Sequence, residues 1–347
     1  MFDLRISLKN IVAYMVYNSG LFTARLNRMD NDWFLALMYH RIIPRNEGGR
    51  FLQPGMYVEP ETFDLHLHFL KQYFDILPVR SLCVRETSLR MTTHDKHACY
   101  LTFDDGWSDF YRYAFPLLVK HQVPATVYLP TGFIGSSKSF WTDRFAAILT
   151  MITRQGLFAK FREYVIRQLP QESRVPSSLP EKFLEDVLCE LKKIDVERIT
   201  KLLDVLERYF DLSLSPDRND FLSWEQIEEM RRSGLVTFGS HTDSHRILTG
   251  LTEDEIVTEL QVSKQRLLEK GAVEKEHISF CYPNGNYNSS ALRQLPAEDY
   301  SCAFTTSCGW NRPDTPIFEL KRVGLHQDVS CNKQFLAYRI YSALACC

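Results

Sequence analysis

The sequence lacks most of the features that would place it in a class at once. Positive charge is not in excess: 41 lysines and arginines against 43 aspartates and glutamates give a formal net charge of −2. That leaves no basic footprint for nucleic acid, and none is expected as a partner. Nine cysteines are present without a CxxC pair or a framework of spacings. Reduced thiols in a cytoplasmic protein are therefore expected, not a disulfide scaffold. The apolar stretch near the start, Ile11-Val12-Ala13-Tyr14-Met15-Val16-Tyr17, falls far short of the roughly 18 residues of a membrane-spanning helix. It also lacks the small-residue cleavage site of a secretory signal. Residues 1–33 are read as an amphipathic helical segment packed on the domain. Peripheral contact with the inner membrane face through residues 1–30, aided by Arg25 and Arg28, is the alternative. Internal repeats and low-complexity tracts are absent too.

What is present is an alternation. Short β-rich runs fall at residues 34–39, 73–77, 98–103, 125–129, 235–239, 278–282 and 302–305. Helical patterns separate most of them. Pro60-Glu61 opens one helix, and Ser223-Trp-Glu-Gln226 and Thr252-Glu-Asp-Glu255 have the form of capping boxes opening two more. Strands alternating with helices predict an α/β fold with a largely parallel sheet, open or closed into a barrel. Residues 145–221 break the rhythm: Phe183, Val187, Leu188 and Leu191, then Leu202, Leu203, Val205 and Leu206, recur at helical spacing with no strand between. They are read as a helical insertion, with Pro180 in the first turn of its second part. The remaining segments, 34–144 and 222–347, form the barrel.

Polar punctuation follows the strand candidates in a consistent way. His40 follows Met38-Tyr39, and Asp104-Asp105-Gly106 follows Leu101-Thr102-Phe103. His241 and His245 lie just after Val236-Thr237-Phe238, and Pro283-Asn284-Gly285 follows Phe280-Cys281-Tyr282. In a parallel barrel the C-terminal strand ends share one mouth, so these groups are expected to converge. Two adjacent carboxylates there would repel, and one would be driven to hold a proton. A divalent cation resolves the conflict by binding one of them, and two histidines four residues apart, one helical turn, supply further ligands. Two histidines and one carboxylate suit zinc, iron or related ions and leave positions open for water and substrate.

Thr102-Phe-Asp-Asp-Gly106 and Ser240-His-Thr-Asp-Ser-His245 resemble the first two motifs of the polysaccharide deacetylases, the NodB-homology or carbohydrate esterase 4 family. Phe280-Cys-Tyr-Pro-Asn-Gly285 and Leu37-Met-Tyr-His-Arg-Ile42 resemble the third motif and opening strand of one branch. The resemblance implies a distorted (β/α)7 barrel, interrupted here by the insertion, and metal-dependent removal of an N-acetyl (or formyl) group from an amino sugar of a glycan or glycolipid. By position it makes Asp104 the general base and Asp105, His241 and His245 the ligands of one divalent ion. Zinc is preferred over cobalt, nickel or iron. It places a backbone oxyanion donor at Asn284, with Tyr282 and Pro283 beside it. The proton donor is His40 by the Tyr-His pattern of the branch, with His326 the alternative. Many members carry an arginine where this chain has Cys281; Arg322 is expected to pair with Asp104 instead. Trp310 is the aromatic chosen to line the sugar groove. Two rival readings are a non-catalytic carbohydrate-binding or scaffold protein on the same barrel and a hydrolase of another C–N bond.

Overall fold

The computed structural model describes residues 4–44, 53, 55–83, 96–170, 172–212 and 220–346. Contacts divide the chain into two compact units, one of Met1–Ile43, Val58–Ser136 and Phe221–Cys347, the other of Pro44–Tyr57 and Ser137–Asp220.

The first unit holds an eight-stranded sheet in which every strand pair is parallel. Seven of its strands lie on one path: β1 (Phe34–Tyr39), β2 (His97–Phe103), β3 (Ala125–Leu129), β4 (Val236–Ser240), β5 (Ser279–Cys281), β6 (Cys302–Phe304) and β7 (Val323–Gly324). The spatial order is β7-β1-β2-β3-β4-β5-β6, and the short strand Phe74–Ile76 pairs with the beginning of β2. The two ends of the path are drawn together by the chain leading into β7. Leu320 bridges to Phe304 of β6, while Val323 pairs with Leu37 of β1. Every residue of β2 and β3 is buried, as an apolar run covered on both faces should be.

The helices begin where their caps dictate. Ser223 and Thr252 each accept from the backbone three residues on while Gln226 and Glu255 reach back, and Pro60 occupies the first turn of Pro60–Tyr73. The N-terminal helix Leu4–Asn18 buries Ala13 and Val16 and leaves Ile11, Tyr14 and Met15 half exposed.

The second unit is helical, with Trp141–Arg154, Phe158–Gln168, Pro180–Leu191 and Val196–Tyr209. These close on a core of their own that includes Phe145, Leu149, Phe161, Phe183, Leu188 and Leu203.

One buried histidine makes stability pH-dependent. His66 donates from Nε2 to the Ser330 carbonyl at 2.6 Å and accepts from the Tyr39 hydroxyl at Nδ1, 3.1 Å away. The neutral ring satisfies both contacts, and burial pushes its pKa down to about 4. Protons therefore bind the unfolded chain first, near pH 6.5, so this contribution is intact above pH 6.5 and lost as pH falls towards 4. Between pH 7 and pH 4.5 the unfolding free energy should drop about 2–3 kcal/mol more in the native protein than in His66→Gln. Equal drops in denaturant titrations would contradict this.

Candidate active site

The site begins where β2 stops. Asp104 donates its backbone N–H to the Tyr39 carbonyl, the last ladder bond, and the chain then turns through left-handed backbone at Asp105 (φ 74°) and Gly106 (φ 63°). On a strand, neighbouring side chains point apart; this turn brings the second carboxylate into the same mouth as the first. A Cβ at Gly106 would stand 2.8 Å from Leu129 Cδ2 and 2.9 Å from Ile134 Cδ1, so these buried side chains would have to shift, and both space and φ favour glycine.

His241 follows β4 directly, its N–H bonded to the Leu129 carbonyl. The four-residue spacing to His245 suggested a helical turn, but the segment is a loop with Thr242 at φ 65° and His245 at φ 59°. Thr242 Oγ1 accepts from the His245 N–H at 2.9 Å, folding the loop back on itself. The imidazoles still converge, by loop geometry instead of helical pitch.

Asp105, His241 and His245 form one set of donors lying within 4.8 Å of one another. His241 Nε2 is 3.5 Å and His245 Nε2 3.2 Å from Asp105 Oδ1. His241 Nδ1 donates to the Cys281 carbonyl at 2.7 Å, which orients the ring with Nε2 towards Asp105 and leaves Nε2 as the nitrogen available to an ion. The indole N–H of Trp107 holds the other oxygen of Asp105 at 3.1 Å. Burial alone would raise the Asp105 pKa, but hydrogen bonds from His241 and His245 outweigh it and hold the carboxyl well below its usual range. An ionised carboxylate and two imidazoles, at least one with its second nitrogen tied, fit a divalent ion such as zinc.

Asp104, His241 and Cys281 also lie within 4.8 Å of one another, but their chemistry fits an ion poorly. Burial pushes the Cys281 thiol up, and Asp104 is already engaged. Arg322 donates from Nη1 to Asp104 Oδ1 and from Nη2 to Oδ2, both at 2.7 Å, and is itself fully buried. Its Nε and Nη1 are held by the Thr305 carbonyl at 2.8 Å and Thr102 Oγ1 at 3.1 Å. The small Cys281 side chain stands 3.0 Å from Nη2, so the guanidinium enters from the approach to β7, not from β5. Burial would raise the Asp104 pKa; the charge and hydrogen bonds of Arg322 overcome it, and the carboxyl stays below its usual range.

His40, at the end of β1, has Nε2 4.0 Å from Asp104 Oδ2 and keeps 17% of its side chain exposed. Burial lowers its pKa despite both nearby carboxylates. His326 lies just beyond β7, with Nδ1 3.2 Å from Asp328 Oδ2. Asn284 is exposed, left-handed at φ 56°, in a turn whose Gly285 abuts the Thr306 side chain; a Cβ there would meet Thr306 Oγ1 at 2.0 Å.

Three expectations need correction. Trp310 does not line a groove. It is 1% exposed, its indole N–H donates to the Ile340 carbonyl, and its ring packs near His97 and Phe74, the first residues of their strands. That is the opposite end of the sheet from the mouth. Tyr282 is also core: its ring stacks on Tyr287 and its hydroxyl donates to the Phe318 carbonyl. Pro283 is buried as well. Trp107 and Thr242 are the site residues the sequence did not assign; the only signal for either was its place in a strand-end motif.

The chain is similar to known proteins in sequence and in fold. The family model for polysaccharide deacetylase matches residues 91–165 and 180–302. YxkH of Bacillus subtilis (strain 168), a provisionally named polysaccharide deacetylase, is 22% identical over 297 residues, 85% of this chain and 72% of that protein. Among solved structures, the Streptococcus pyogenes deacetylase PplD, in complex with acetate, superposes with a TM-score of 0.55 at 20% identity, covering 90% of this chain and 98% of that one. IcaB from Ammonifex degensii gives 0.54 at 19% identity, over 88% and 97%. These likenesses show the fold, the distorted (β/α) barrel of the deacetylases.

Proposed function

The chain belongs to the polysaccharide deacetylase family, and from that premise we propose that it is a metal-dependent hydrolase that removes N-acetyl groups from an amino sugar of a polysaccharide or lipid-linked glycan. One observation carries the reading: two adjacent carboxylates have divergent partners, Asp105 facing two imidazoles and Asp104 gripped by a buried arginine. Such a split gives the pair two roles, ligand and base. The acetate found with PplD supports acetyl as the acyl group by likeness.

Asp105, His241 and His245 would hold the ion. A cation there supplies Lewis acidity, polarising the amide carbonyl and acidifying water in the mouth. Asp104, kept ionised by Arg322, takes a proton from the attacking water. Its two-pronged grip fixes the direction of both carboxylate oxygens, which general-base catalysis needs. The amine leaving group requires a proton in return, and His40 is the group proposed to deliver it. Its Nε2 stands 4.0 Å from Asp104 Oδ2, a separation that one intervening water would bridge for the captured proton to be handed on. The Pro283–Gly285 turn, exposed at Asn284, offers the backbone N–H of Asn284 for the oxyanion.

The same reading extends to where the enzyme works. Ile11, Tyr14, Met15 and Leu21 are exposed, as are Arg25 and Arg28 later in the same segment, which supports peripheral contact with an anionic membrane at its cytoplasmic face. Among the described residues no helix is long and apolar enough to cross a membrane.

The test is acyl release from a panel of N-acetylated and N-formylated amino-sugar oligomers and lipid-linked precursors. Release of acetate from at least one member is expected; a metal-loaded protein that binds these glycans and releases no acyl group would favour the carbohydrate-binding reading.

A further inference from the structure

The loop joining His241 to His245 is held in a conformation it would not choose alone. Thr242 and His245 both sit in the left-handed region, which costs an L-residue roughly 1–2 kcal/mol each, with β-branched Thr242 the worse case. Something outside the loop must supply the restraint.

That restraint comes from helix Glu253–Glu269, whose start is fixed by the Thr252–Glu255 capping box. Glu259 lies on its second turn, 8% exposed. Its Oε2 accepts from the backbone N–H groups of Asp243 and Ser244, each at 2.9 Å, and its Oε1 accepts a short bond from the Ser244 hydroxyl. Ser263 and Arg266 lie on the same helical face. Ser263 Oγ is 2.7 Å from Ser240 Oγ, and Arg266 Nη1 donates to Asp243 Oδ1 at 2.7 Å. The same Asp243 oxygen accepts from Thr131, and the Asp243 carbonyl accepts from the Gly132 N–H. Ser240, just before the first imidazole, and Asp243 and Ser244, between the two, are thus tied down from outside the loop.

We propose that this helix face is a brace for the metal centre, with Glu259 the positioning residue that fixes the separation of the His241 and His245 rings and so sets metal affinity. The inference rests on the metal-centre reading above. Glu259 touches neither metal nor substrate; it acts through the loop backbone. The carboxylate pre-forms the loop, so the protein spends no binding free energy ordering it when an ion arrives.

Zinc affinity, measured by chelator competition on folded, metal-stripped protein, tests the brace without reference to activity. Glu259→Leu should weaken binding by roughly 10–100-fold, the usual cost of losing a residue that orients ligands. Glu259→Gln keeps a carbonyl oxygen for the two backbone donors and should stay within about threefold of the native value, because the clamp is geometric. Wild-type affinity in Glu259→Leu overturns the proposal, as does an equal loss in both variants, which would make the charge and not the clamp the cause. If Glu259→Leu does not fold, Ser244→Ala removes the single hydroxyl bond and should weaken binding about threefold; no change there overturns the brace as well. A native protein that binds no zinc would instead defeat the metal-centre reading itself.

Discussion

Asp104→Asn is expected to lower turnover by roughly 10²–10⁴-fold while leaving one metal ion bound per chain. The substitution is nearly isosteric. The new amide oxygen could still accept from Arg322, but the amide cannot take a proton from water. Asp105, the residue facing His241 and His245, is untouched, and so is the Trp107 indole that holds its second oxygen. Loss of metal together with activity would mean that Asp104 is a ligand. Unchanged turnover would remove it from the mechanism.

Arg322→Ala carries the second large effect, and it divides between stability and chemistry. The guanidinium is fully buried and paired to a carboxylate that is itself 3% exposed. Removing one partner of such a pair leaves an uncompensated buried charge and costs about 3–5 kcal/mol. The pKa of Asp104 should rise, because Arg322 is what overcomes its burial. A base that must be ionised is then protonated over more of the acid range, so the acid limb of the turnover–pH profile moves to higher pH. Metal content should not change. Arg322→Lys keeps a charge without the two-pronged contact and should recover stability better than turnover. A variant with native turnover and an unshifted acid limb would dispose of the pairing as a functional device.

Much of this architecture was legible in the residues. Each of the seven expected strand regions contains a strand, because buried β-rich runs bounded by turn residues leave little choice of conformation. The helices from Trp141 to Tyr209 were visible as helical spacing without strands. The shortest strand of the eight-stranded sheet, Val323–Gly324, was not, since two residues hold no period. The convergence of Asp104, Asp105, His241 and His245 followed from a rule about strand ends that needs no side-chain detail. What failed depended on direction. Trp310 beside a glycine and close to a proline reads the same whether its ring faces a groove or returns to the far end of the core. Tyr282, one residue past β5, could as well have lined the mouth as packed against Tyr287. The loop between the histidines was misjudged because a four-residue interval is also a helical turn, and only the left-handed backbone at Thr242 and His245 tells the two apart. Arg322 lies far in sequence from Asp104, and only the family pattern linked them.

The central claim is that Asp105, His241 and His245 bind one cation on which hydrolysis depends. The most direct measurement strips the protein with chelator, confirms the loss by elemental analysis, and titrates zinc back into the native chain and His241→Ala while following acetate release. The account predicts no release from the stripped protein, recovery that saturates at one zinc per native chain, and neither tight zinc binding nor recovery in His241→Ala. Undiminished release from fully stripped protein, or His241→Ala binding zinc as tightly as the native chain, would contradict it.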